Sequence, residues 1–286
     1  MKKNKLKLAI VGYGFVGKAT DFGFDRNVDK YIVDPKLGTE IKELSEFNPD
    51  IIFICVPTPM GSDGNQDSSI IMDVIKKLAR YCPSSVKVVK STVLPSVLEE
   101  VSKIEEKLIY NPEFLREKHA NEDFVNANII ILGGNKDEVE LVSKAYKNNS
   151  KCKTHDHYIT DVKTASFIKY SINTFLASKV VFFNELHSVY EKMDAKDNWE
   201  SVIEVLSKDV RIGKSHMQVP GHDGKKGFGG ACFPKDSIAF AMFAENLGID
   251  MTALKNSIKT NNKIRSTYDT IEVRESEQSI TFDDKI

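Results

Sequence analysis

Residues 6–17 read LKLAIVGYGFVG, an apolar run followed by glycines at positions 12, 14 and 17. G-x-G-x-x-G spacing between a strand and a helix is typical of a dinucleotide-binding turn. The first glycine permits the tight turn, the second lets the backbone approach a pyrophosphate, and the third lets the helix pack close to the strand. The stretch therefore predicts the first strand, turn and helix of a dinucleotide-binding sheet, with Gly12, Gly14 and Gly17 at the cofactor.

The next strand is expected to end in a carboxylate that binds the adenosine ribose. That strand, KYIVD, ends at Asp34. A carboxylate there accepts hydrogen bonds from ribose hydroxyls and repels a 2′-phosphate, which favours NAD over NADP, although Lys36 nearby weakens the preference. The alternative is that the glycines are ordinary turn residues and that Asp34 only caps the strand end.

Across residues 6–134, short apolar runs alternate with helix-like polar stretches. The further runs are DIIFICV, VKVVKST, EKLIYN and NIIILGG. Continuous runs rich in Val and Ile are typical of strands that are covered on both faces. We therefore predict a Rossmann-like, doubly wound parallel sheet, with helices over residues 15–25, 68–81, 95–106 and 136–147.

The sequence pattern changes after about residue 156. Residues 160–193 contain no Gly or Pro, and their apolar positions recur at helical spacing, which predicts one long helix. A glycine-rich loop over 207–230 and two helices over 232–247 and 251–265 follow. The predicted fold class is α/β, with an NAD-binding Rossmann domain at 1–158, a helical domain with a long central helix at 159–268, and a polar C-terminal tail at 269–286.

Composition narrows the class of protein. The 286 residues carry a formal charge of -1, 28% of them are charged, and the mean hydropathy is -0.30. These values argue against a membrane protein and a disordered chain, and the lack of basic excess argues against a nucleic-acid partner. The four cysteines lie far apart, and no His or Cys set has convincing ligand spacing, so we expect no metal and a reducing, cytoplasmic compartment.

Cys232 lies in GFGGACFPKD, after a glycine-rich stretch and at the predicted start of a helix. A helix N-terminus favours a thiolate, because its N–H groups and dipole stabilise negative charge, so Cys232 is a candidate nucleophile. Lys235 and Asp236 follow three and four residues later, on the same side of the helix. The alternative, a buried structural cysteine, is equally compatible with the local sequence.

Two further pairs of polar residues are spaced four apart. Lys169 and Asn173 would project from one face of the long helix and offer a cation and an amide donor to a developing oxyanion. Glu113 and Glu117, in NPEFLREK, would supply paired carboxylates for acid–base chemistry. Taken alone, either pair is more often a solvated helix face. Thr92, in STV, ends the fourth strand at the carboxyl edge, where ligands of such sheets bind.

Together these motifs resemble the UDP-glucose/GDP-mannose 6-dehydrogenase family. The resemblance rests on VGYGFVG, Asp34, VPTP, STV, NPEFLRE, the helix with Lys169, Asn173 and FNEL, and RIG followed by GFGGACFPKD. These segments follow the family's order across about residues 6–265. Members normally continue into a third domain that holds much of the nucleotide, whereas this sequence stops at Ile286, so the expectation is a short form that lacks that domain.

The resemblance implies a four-electron oxidation of UDP-glucose, or of a related UDP- or GDP-sugar, to the uronic acid. Two NAD molecules in turn each accept a hydride. Cys232 would hold the sugar first as a thiohemiacetal and then as a thioester, which water hydrolyses. Lys169 and Asn173 would stabilise the C6 oxygen. Asp236 with a water on Thr92 would manage the alcohol proton, and Glu113, supported by Glu117, would be the base for hydrolysis.

The resemblance also implies which residues contact each ligand. The catalytic residues would be Cys232, Lys169, Asn173, Asp236, Glu113 and Thr92. NAD would contact Gly12, Gly14, Phe15, Val16, Gly17, Asp34, Lys36, Pro57, Thr58, Thr92 and Lys235. The nucleotide sugar would contact Glu113, Phe114, Leu115, Arg116, Glu117, Lys169, Asn173, Arg211, Gly221, Phe228, Gly229 and Cys232. Arg211 would reach a neighbouring subunit's substrate, which implies a homodimer. The glycine-rich loop is longer than in many members, and we expect its Lys225 and Lys226 to replace part of the phosphate contacts of the third domain.

Two other functions stay open from the sequence. The chain could be a non-catalytic or partner-dependent subunit of the same fold, in which case activity appears only when another polypeptide is added. It could also be a two-domain 3-hydroxyacid dehydrogenase, which shares the Rossmann domain, the long helix and a lysine but needs no nucleophilic thiol. Alkylation of Cys232 that substrate blocks would separate these functions.

Overall fold

The structure is a computed structural model that describes residues 5–282. The chain divides into two compact units. The first comprises the residues up to Thr58 together with Asp67–Lys169, and the second comprises Pro59–Gln66 together with the residues from Tyr170 onward. The domain boundaries predicted at residues 158 and 268 stay a prediction.

The first unit is built on a seven-stranded sheet with the order β2-β1-β3-β4-β5-β6-β7. The strands are β1 (Leu6–Val11), β2 (Val28–Val33), β3 (Ile51–Ile54), β4 (Val86–Val89), β5 (Leu108–Tyr110), β6 (Ile130–Gly134) and β7 (His157–Thr160). The chain passes from β1 to β2 on one side and then returns to β3 on the other. This reversal creates a switch point, the place where doubly wound sheets bind ligands.

Helices cover the sheet and form the second unit. Those of the first unit are α1 (Phe15–Gly23), α2 (Leu44–Phe47), α3 (Ser69–Tyr81), α4 (Pro95–Ile104), α5 (Ala120–Val125) and α6 (Lys136–Asn149). The long α7 (Val162–Lys192) begins in the first unit and continues in the second. The second unit also contains α8 (Trp199–Leu206), α9 (Phe233–Asn246), α10 (Thr252–Arg265) and α11 (Val273–Glu277).

Side-chain alternation explains why the strands are apolar throughout. Ile52 and Ile54 of β3 belong to the core cluster on one face of the sheet, while Ile51 and Phe53 belong to the other. All four side chains are fully buried, as expected of a strand with helices on both sides. The α/β class, the mostly parallel sheet and the long helix are therefore confirmed.

Two features of the sheet differ from the predicted parallel arrangement. β6 runs antiparallel to β5, with Tyr110 opposite Gly133. A parallel neighbour needs a helical crossover, whereas the helix between these strands, α5, has only six residues. The seventh strand was not predicted, because Tyr158 and Ile159 are more than half exposed at the sheet edge and form no buried apolar run.

The segment predicted as a polar tail is packed in part. It contains α11, in which the Glu275 side chain is fully buried, and Ile280 is 2% exposed. Residues 283–286 lie outside the described part of the chain. Within residues 5–282, none of the helices has the length and apolar character that crossing a bilayer requires.

Candidate functional site

The glycine turn lies between β1 and α1. Gly12 has a φ of +92°, and a Cβ there would lie 2.7 Å from the carbonyl oxygen of Cys55 at the end of β3. A Cβ on Gly17 would overlap the carbonyl oxygen of Gly12, so glycine is needed for α1 to pack this closely. Gly14 is the exposed N-cap of α1, and nothing beyond its chain neighbours lies within 4 Å of its Cβ position. This open space at a helix N-terminus fits a dinucleotide pyrophosphate.

Asp34 directly follows β2, and its carboxylate accepts two backbone hydrogen bonds. Oδ2 accepts from Tyr13 N at 2.6 Å, and Oδ1 accepts from Lys36 N at 2.8 Å. The first bond ties Asp34 to the glycine turn, and the second caps the 3-10 turn that follows. Asp34 therefore caps the strand end and also lies beside the turn where Phe15 and Val16 begin α1. The Lys36 side chain is exposed.

The ends of β3 and β4 are joined at the carboxyl edge of the sheet. The Thr58 hydroxyl donates to the carbonyl oxygen of Thr92 at 3.0 Å, and both residues are buried. Pro57, directly before Thr58, is exposed. Because β1, β3, β4 and β5 are parallel, the residues that follow these strands all lie at this edge.

Lys169 and Glu113 form a buried charged pair after β5. Lys169 Nζ donates to the carbonyl oxygen of Glu113 at 2.6 Å and lies 3.9 Å from the Oε1 of the same residue. The ammonium also lies 4.9 Å from the centroid of the Phe114 ring. Glu113 Oε2 accepts from Leu115 N at 2.6 Å. A carboxylate and an ammonium in this dry setting are suited to holding a proton or stabilising a developing charge.

Glu113 and Glu117 do not share a helix face, which corrects their predicted pairing. Residues 111–116 are not helical, so spacing of four residues does not bring the two carboxylates together. Glu113 is 8% exposed, whereas Glu117 is exposed on the following 3-10 turn. Arg116 is also exposed and makes a two-pronged ion pair with Asp123, through Nε at 3.0 Å and Nη2 at 2.7 Å.

Sequence reasoning missed a buried lysine at the same edge. Lys90 lies two residues before Thr92, is 3% exposed, and donates from Nζ to Asn111 Oδ1 at 3.0 Å. The Tyr146 hydroxyl donates to the same oxygen at 2.6 Å. Burial lowers the pKa of Lys90, and the negative charge of Glu113 partly offsets this effect. The sequence could have indicated this residue, because Lys90 directly precedes the STV motif.

Cys232 is the N-cap of α9 in the second unit. It is partly exposed, and its carbonyl oxygen accepts the first helical hydrogen bond, from Asp236 N at 2.9 Å. Pro234 lies within the first turn, where its missing N–H removes no helical bond. All four cysteines are thiols. Cys232 therefore begins a 14-residue helix and, as a residue, is not fully buried.

Asp236 lies one turn after Cys232 and is 1% exposed. Its Oδ1 accepts from Lys235 Nζ at 2.6 Å, and its Oδ2 accepts from Asn173 Nδ2 at 2.7 Å. Asn173 therefore directs one amide N–H to Asp236, although the sequence suggested that this amide would bind a substrate oxygen. Likewise, Lys235, predicted at the cofactor, pairs with Asp236. The arrangement fixes a buried carboxylate in the first turn of the helix that begins at Cys232.

The two lysines predicted to bind phosphate contact the protein itself. Lys225 Nζ donates to the carbonyl oxygen of Thr270 at 2.5 Å. Lys226 Nζ donates to Glu191 Oε2 at 3.1 Å. A phosphate at either lysine would have to displace or share these contacts, so they are weaker candidates than the sequence suggested.

The remaining predicted substrate contacts differ in exposure. Phe228 is 4% exposed and packs in a small apolar cluster, so its ring offers little surface to a sugar. Gly221 and Gly229 are partly exposed in the glycine-rich loop. Arg211 is exposed and forms a two-pronged pair with Asp209, through Nε at 2.9 Å and Nη2 at 2.5 Å.

Each unit thus holds one group of predicted site residues. The first unit contains the glycine turn, Asp34, Thr92 and the Glu113–Lys169 pair, and the second contains Asn173, Cys232 and Asp236. Across residues 5–282 there is no group of three or more His, Cys, Asp or Glu side chains that could hold a metal ion.

A mostly parallel sheet with this glycine turn at its switch point defines a dinucleotide-binding protein. Comparison with known families is more specific. Residues 36–150 match the NAD binding domain of the UDP-glucose/GDP-mannose dehydrogenase family, and residues 163–263 match the central domain of the same family. The chain belongs to this family.

Individual relatives agree with the family. A UDP-glucose 6-dehydrogenase of Rickettsia felis is 32% identical over 255 residues, which cover 83% of this chain and 54% of that relative. The chain thus spans about half the length of the relative. A solved UDP-glucose dehydrogenase of Pyrobaculum islandicum is 26% identical, has a TM-score of 0.76, and matches over 92% of this chain and 69% of that chain.

A third comparison concerns the fold alone. The 3-hydroxyisobutyrate dehydrogenase of Mycobacterium tuberculosis matches over 98% of both chains with a TM-score of 0.66, at 14% identity. A fold can host several chemistries, so this likeness does not transfer an activity. The thiol at the start of α9 is the feature that a hydroxyacid dehydrogenase does not need.

Proposed function

We propose that the protein is an NAD-dependent nucleotide-sugar 6-dehydrogenase. It oxidises UDP-glucose, or a related UDP- or GDP-sugar, in two steps to the uronic acid. The observation that carries this proposal is that the partly exposed residue Cys232 begins α9, one turn before the buried Asp236 that Asn173 and Lys235 hold. This group lies in the part of the chain that matches the family's central domain.

Each of the chain's own residues has a role that follows from its contacts. NAD, when bound, supplies the hydride acceptor for both oxidation steps. The Cys232 sulfur adds to the C6 aldehyde, whose oxygen takes up a proton to give a thiohemiacetal. This adduct loses a hydride and its hydroxyl proton to leave a thioester, which water cleaves to the uronic acid and the free thiol. Asp236 accepts the proton of the C6 alcohol, and Asn173 keeps its carboxylate oriented.

The first unit supplies the second set of roles. The Lys169 ammonium stabilises negative charge on the C6 oxygen, because water screens a buried positive charge little. Glu113 is the base that activates water for thioester hydrolysis. Thr92 and Thr58 shape the carboxyl edge of the sheet, and Gly14 leaves space for the pyrophosphate.

Stoichiometry and a thiol variant test this function. Purified protein with NAD and UDP-glucose should form two NADH per sugar oxidised, because two hydrides leave each C6 carbon. Cys232→Ser should abolish release of the uronic acid, because a serine ester or hemiacetal does not replace the thioester route. Cys82→Ser, on a buried thiol at the end of α3, is the matched control and should remain active. No NADH with any UDP- or GDP-sugar tested would contradict the proposal.

Alkylation separates this function from a hydroxyacid dehydrogenase. Burial raises the pKa of Cys82 and Cys152, and raises that of Cys55 to about 12, so these thiols react slowly near neutral pH. A mild alkylating agent should therefore add one label, at Cys232, and nucleotide sugar should block it. Labelling that the nucleotide sugar does not affect would argue against a thiol at the substrate.

We also propose that the protein acts as a homodimer through the second unit's part of α7. Phe175, Phe182 and Val189 are each more than half exposed and are spaced seven residues apart, so they form an apolar stripe along one face of the helix. We propose that the same face of a second copy of the chain packs against this stripe. A reducing compartment such as the cytoplasm is part of this proposal, because the Cys232 thiol must stay reduced to react.

A further inference from the structure

The turn formed by residues 227–230, GFGG, ends two residues before Cys232. Three of its backbone N–H groups donate to side chains. Gly227 N donates to Asn184 Oδ1 at 3.0 Å, Phe228 N donates to Asn261 Oδ1 at 2.6 Å, and Gly230 N donates to Glu275 Oε1 at 2.9 Å. The three acceptors come from three different helices, α7, α10 and α11.

All three acceptors are nine-tenths or more buried. Asn184 is 4% exposed, and Asn261 and Glu275 are fully buried. Buried polar groups are costly unless they are satisfied, so side chains of this kind persist where their hydrogen bonds matter. Two neutral amides and one carboxylate thus accept hydrogen bonds from the backbone of residues 227–230.

The acceptors are themselves held in place. Asn184 Nδ2 donates to the carbonyl oxygen of Val180 at 2.7 Å, and Asn261 Nδ2 donates to the carbonyl oxygen of Phe228 at 3.0 Å. Asn261 is therefore hydrogen-bonded to both the N–H and the carbonyl oxygen of Phe228. These additional hydrogen bonds restrict the rotamers of the two amides, so the amides hold the turn in a fixed position.

Glu275 is held by a buried ion-pair chain. Arg265 Nη2 donates to Glu275 Oε1 at 2.8 Å, and Arg265 Nη1 donates to Asp223 Oδ2 at 2.6 Å. Arg265 and Glu275 side chains are 1% and 0% exposed, and Asp223 is 9% exposed. A Cβ on Gly229 would overlap both Arg265 and Glu275, so the turn lies directly against this pair.

We infer that Asn184, Asn261 and Glu275 are positioning residues for the Cys232 thiol. In this role they act through the backbone of the turn. They hold the turn 227–230, and the turn sets where the chain enters α9 and where the N-cap sulfur lies. The catalytic consequence rests on the proposed function, whereas the effect on the sulfur does not.

Residues that follow the matched family domains also contribute to this support. The central-domain match ends at residue 263, but Arg265 and Glu275 lie after it. The segment predicted as a polar tail therefore supplies one of the three acceptors. The buried Glu275 of this segment completes the support of the thiol turn.

The experiment measures Cys232 alkylation in the full chain without NAD or sugar. Glu275→Ala removes an acceptor, and Glu277→Ala, on the exposed end of the same helix, is the matched control. Asn184→Ala removes a second acceptor without leaving a buried charge, so it keeps the test valid if Glu275→Ala does not fold. Both test variants should label at Cys232 several-fold faster than wild type, since a released turn exposes the sulfur more often.

Turnover and a conservative variant complete the test. Nucleotide-sugar oxidation by the two test variants should be slower by on the order of 10²-fold, since small misplacement of a reacting group has effects of this size. Glu275→Gln keeps an oxygen acceptor and should restore both readouts most of the way. Unchanged labelling in both folded test variants overturns the inference. Absence of oxidation by wild type would instead count against the proposed function and leave the labelling comparison decisive.

Discussion

A carboxylate that is 1% exposed needs a partner for each oxygen, and Asp236 has one on each side. Lys235 supplies a charge and Asn173 supplies an oriented amide. The sequence indicated that Lys235 and Asp236 lie on the side of Cys232, because residues three and four apart share a helix face. It did not show that Asn173 donates to Asp236, since the two are 63 residues apart.

The Asp236→Asn variant tests this buried pair. It removes the negative charge that the Lys235 ammonium faces at 2.6 Å. We expect the free energy of unfolding to fall by about 3 kcal/mol, because breaking a buried ion pair leaves a charge in a dry setting. Urea titration followed by circular dichroism measures the change. The double variant Lys235→Met, Asp236→Asn should be more stable than the single variant, and equal stability of the two would contradict this account.

Buried charges were the residues that sequence reasoning placed least well. Glu275 lies in a polar stretch, and nothing in its neighbourhood predicts full burial. Its burial depends on Arg265, ten residues earlier, and on the N–H of Gly230. Contacts of this kind arise from tertiary packing, which local periodicity does not encode.

At the scale of elements, the glycine turn and α1 were predicted well because steric rules act locally. Gly12 has positive φ, and Gly17 lies against the Gly12 carbonyl. Amphipathic helices were also predictable: α3 buries Ile71, Val74 and Ile75 with Leu78, at helical spacing. By contrast, α8 was missed, because residues 194–206 were assigned to neither the long helix nor the loop, although Asn198 Oδ1 accepts from Ser201 N and caps α8.

Two alanine substitutions in the glycine turn should separate folding from dinucleotide binding. Gly14→Ala adds a Cβ where no other part of the protein lies within 4 Å, so the melting temperature should not change. NAD affinity should fall by about tenfold or more, equal to ~1.4 kcal/mol, because the methyl group occupies the pyrophosphate approach.

Gly17→Ala is the matched comparison. Its Cβ would overlap the Gly12 carbonyl oxygen, so we expect the free energy of unfolding to fall by about 1–3 kcal/mol. Thermal melts and calorimetric titration with NAD measure both quantities. Unaltered NAD binding by the folded Gly14→Ala variant would contradict the assigned pyrophosphate position.

His216 gives the loop before α9 a pH dependence. Burial lowers the pKa of His216 to about 4, with smaller contributions from the charges of Lys179 and His222. The folded state therefore resists protonation, while an unfolded histidine takes up a proton near pH 6.5. The unfolded state binds more protons between these values, so stability should fall as the pH drops from about 6.5 to about 4.

A His216→Asn variant tests this dependence. The backbone there has a φ of +63°, a conformation that Asn tolerates, and Asn does not titrate. Urea unfolding at several pH values between 7 and 4 should show a smaller loss of stability in the variant than in wild type. Equal losses would mean that another group causes the pH dependence.

At the scale of the whole molecule, each unit has apolar clusters of its own. The sequence predicted the α/β class from continuous strands and the long helix from its lack of Gly and Pro. It did not predict the antiparallel β6, since strand direction depends on the path between strands and not on the strands themselves. Nor does the sequence show which apolar side chains of the long helix are exposed, because exposure depends on how the helix packs.

The stripe of Phe175, Phe182 and Val189 leads to the last prediction. An apolar stripe of this length on one helix face is costly in water and suits a second copy of the same surface. Wild type should therefore have twice the chain mass by light scattering after size-exclusion chromatography. Phe182→Asp should have the mass of one chain, because a charge cannot be buried in that interface without a partner.

The matched control for the dimer is Val273→Asp, which places a charge on a residue that is 74% exposed on α11. It should keep the wild-type mass, since it does not touch the stripe on α7. If Phe182→Asp also keeps the wild-type mass, the dimer uses a different surface. If wild type itself is a monomer at all concentrations tested, Arg211 has no neighbouring subunit to reach, and its exposed pair with Asp209 is a surface feature.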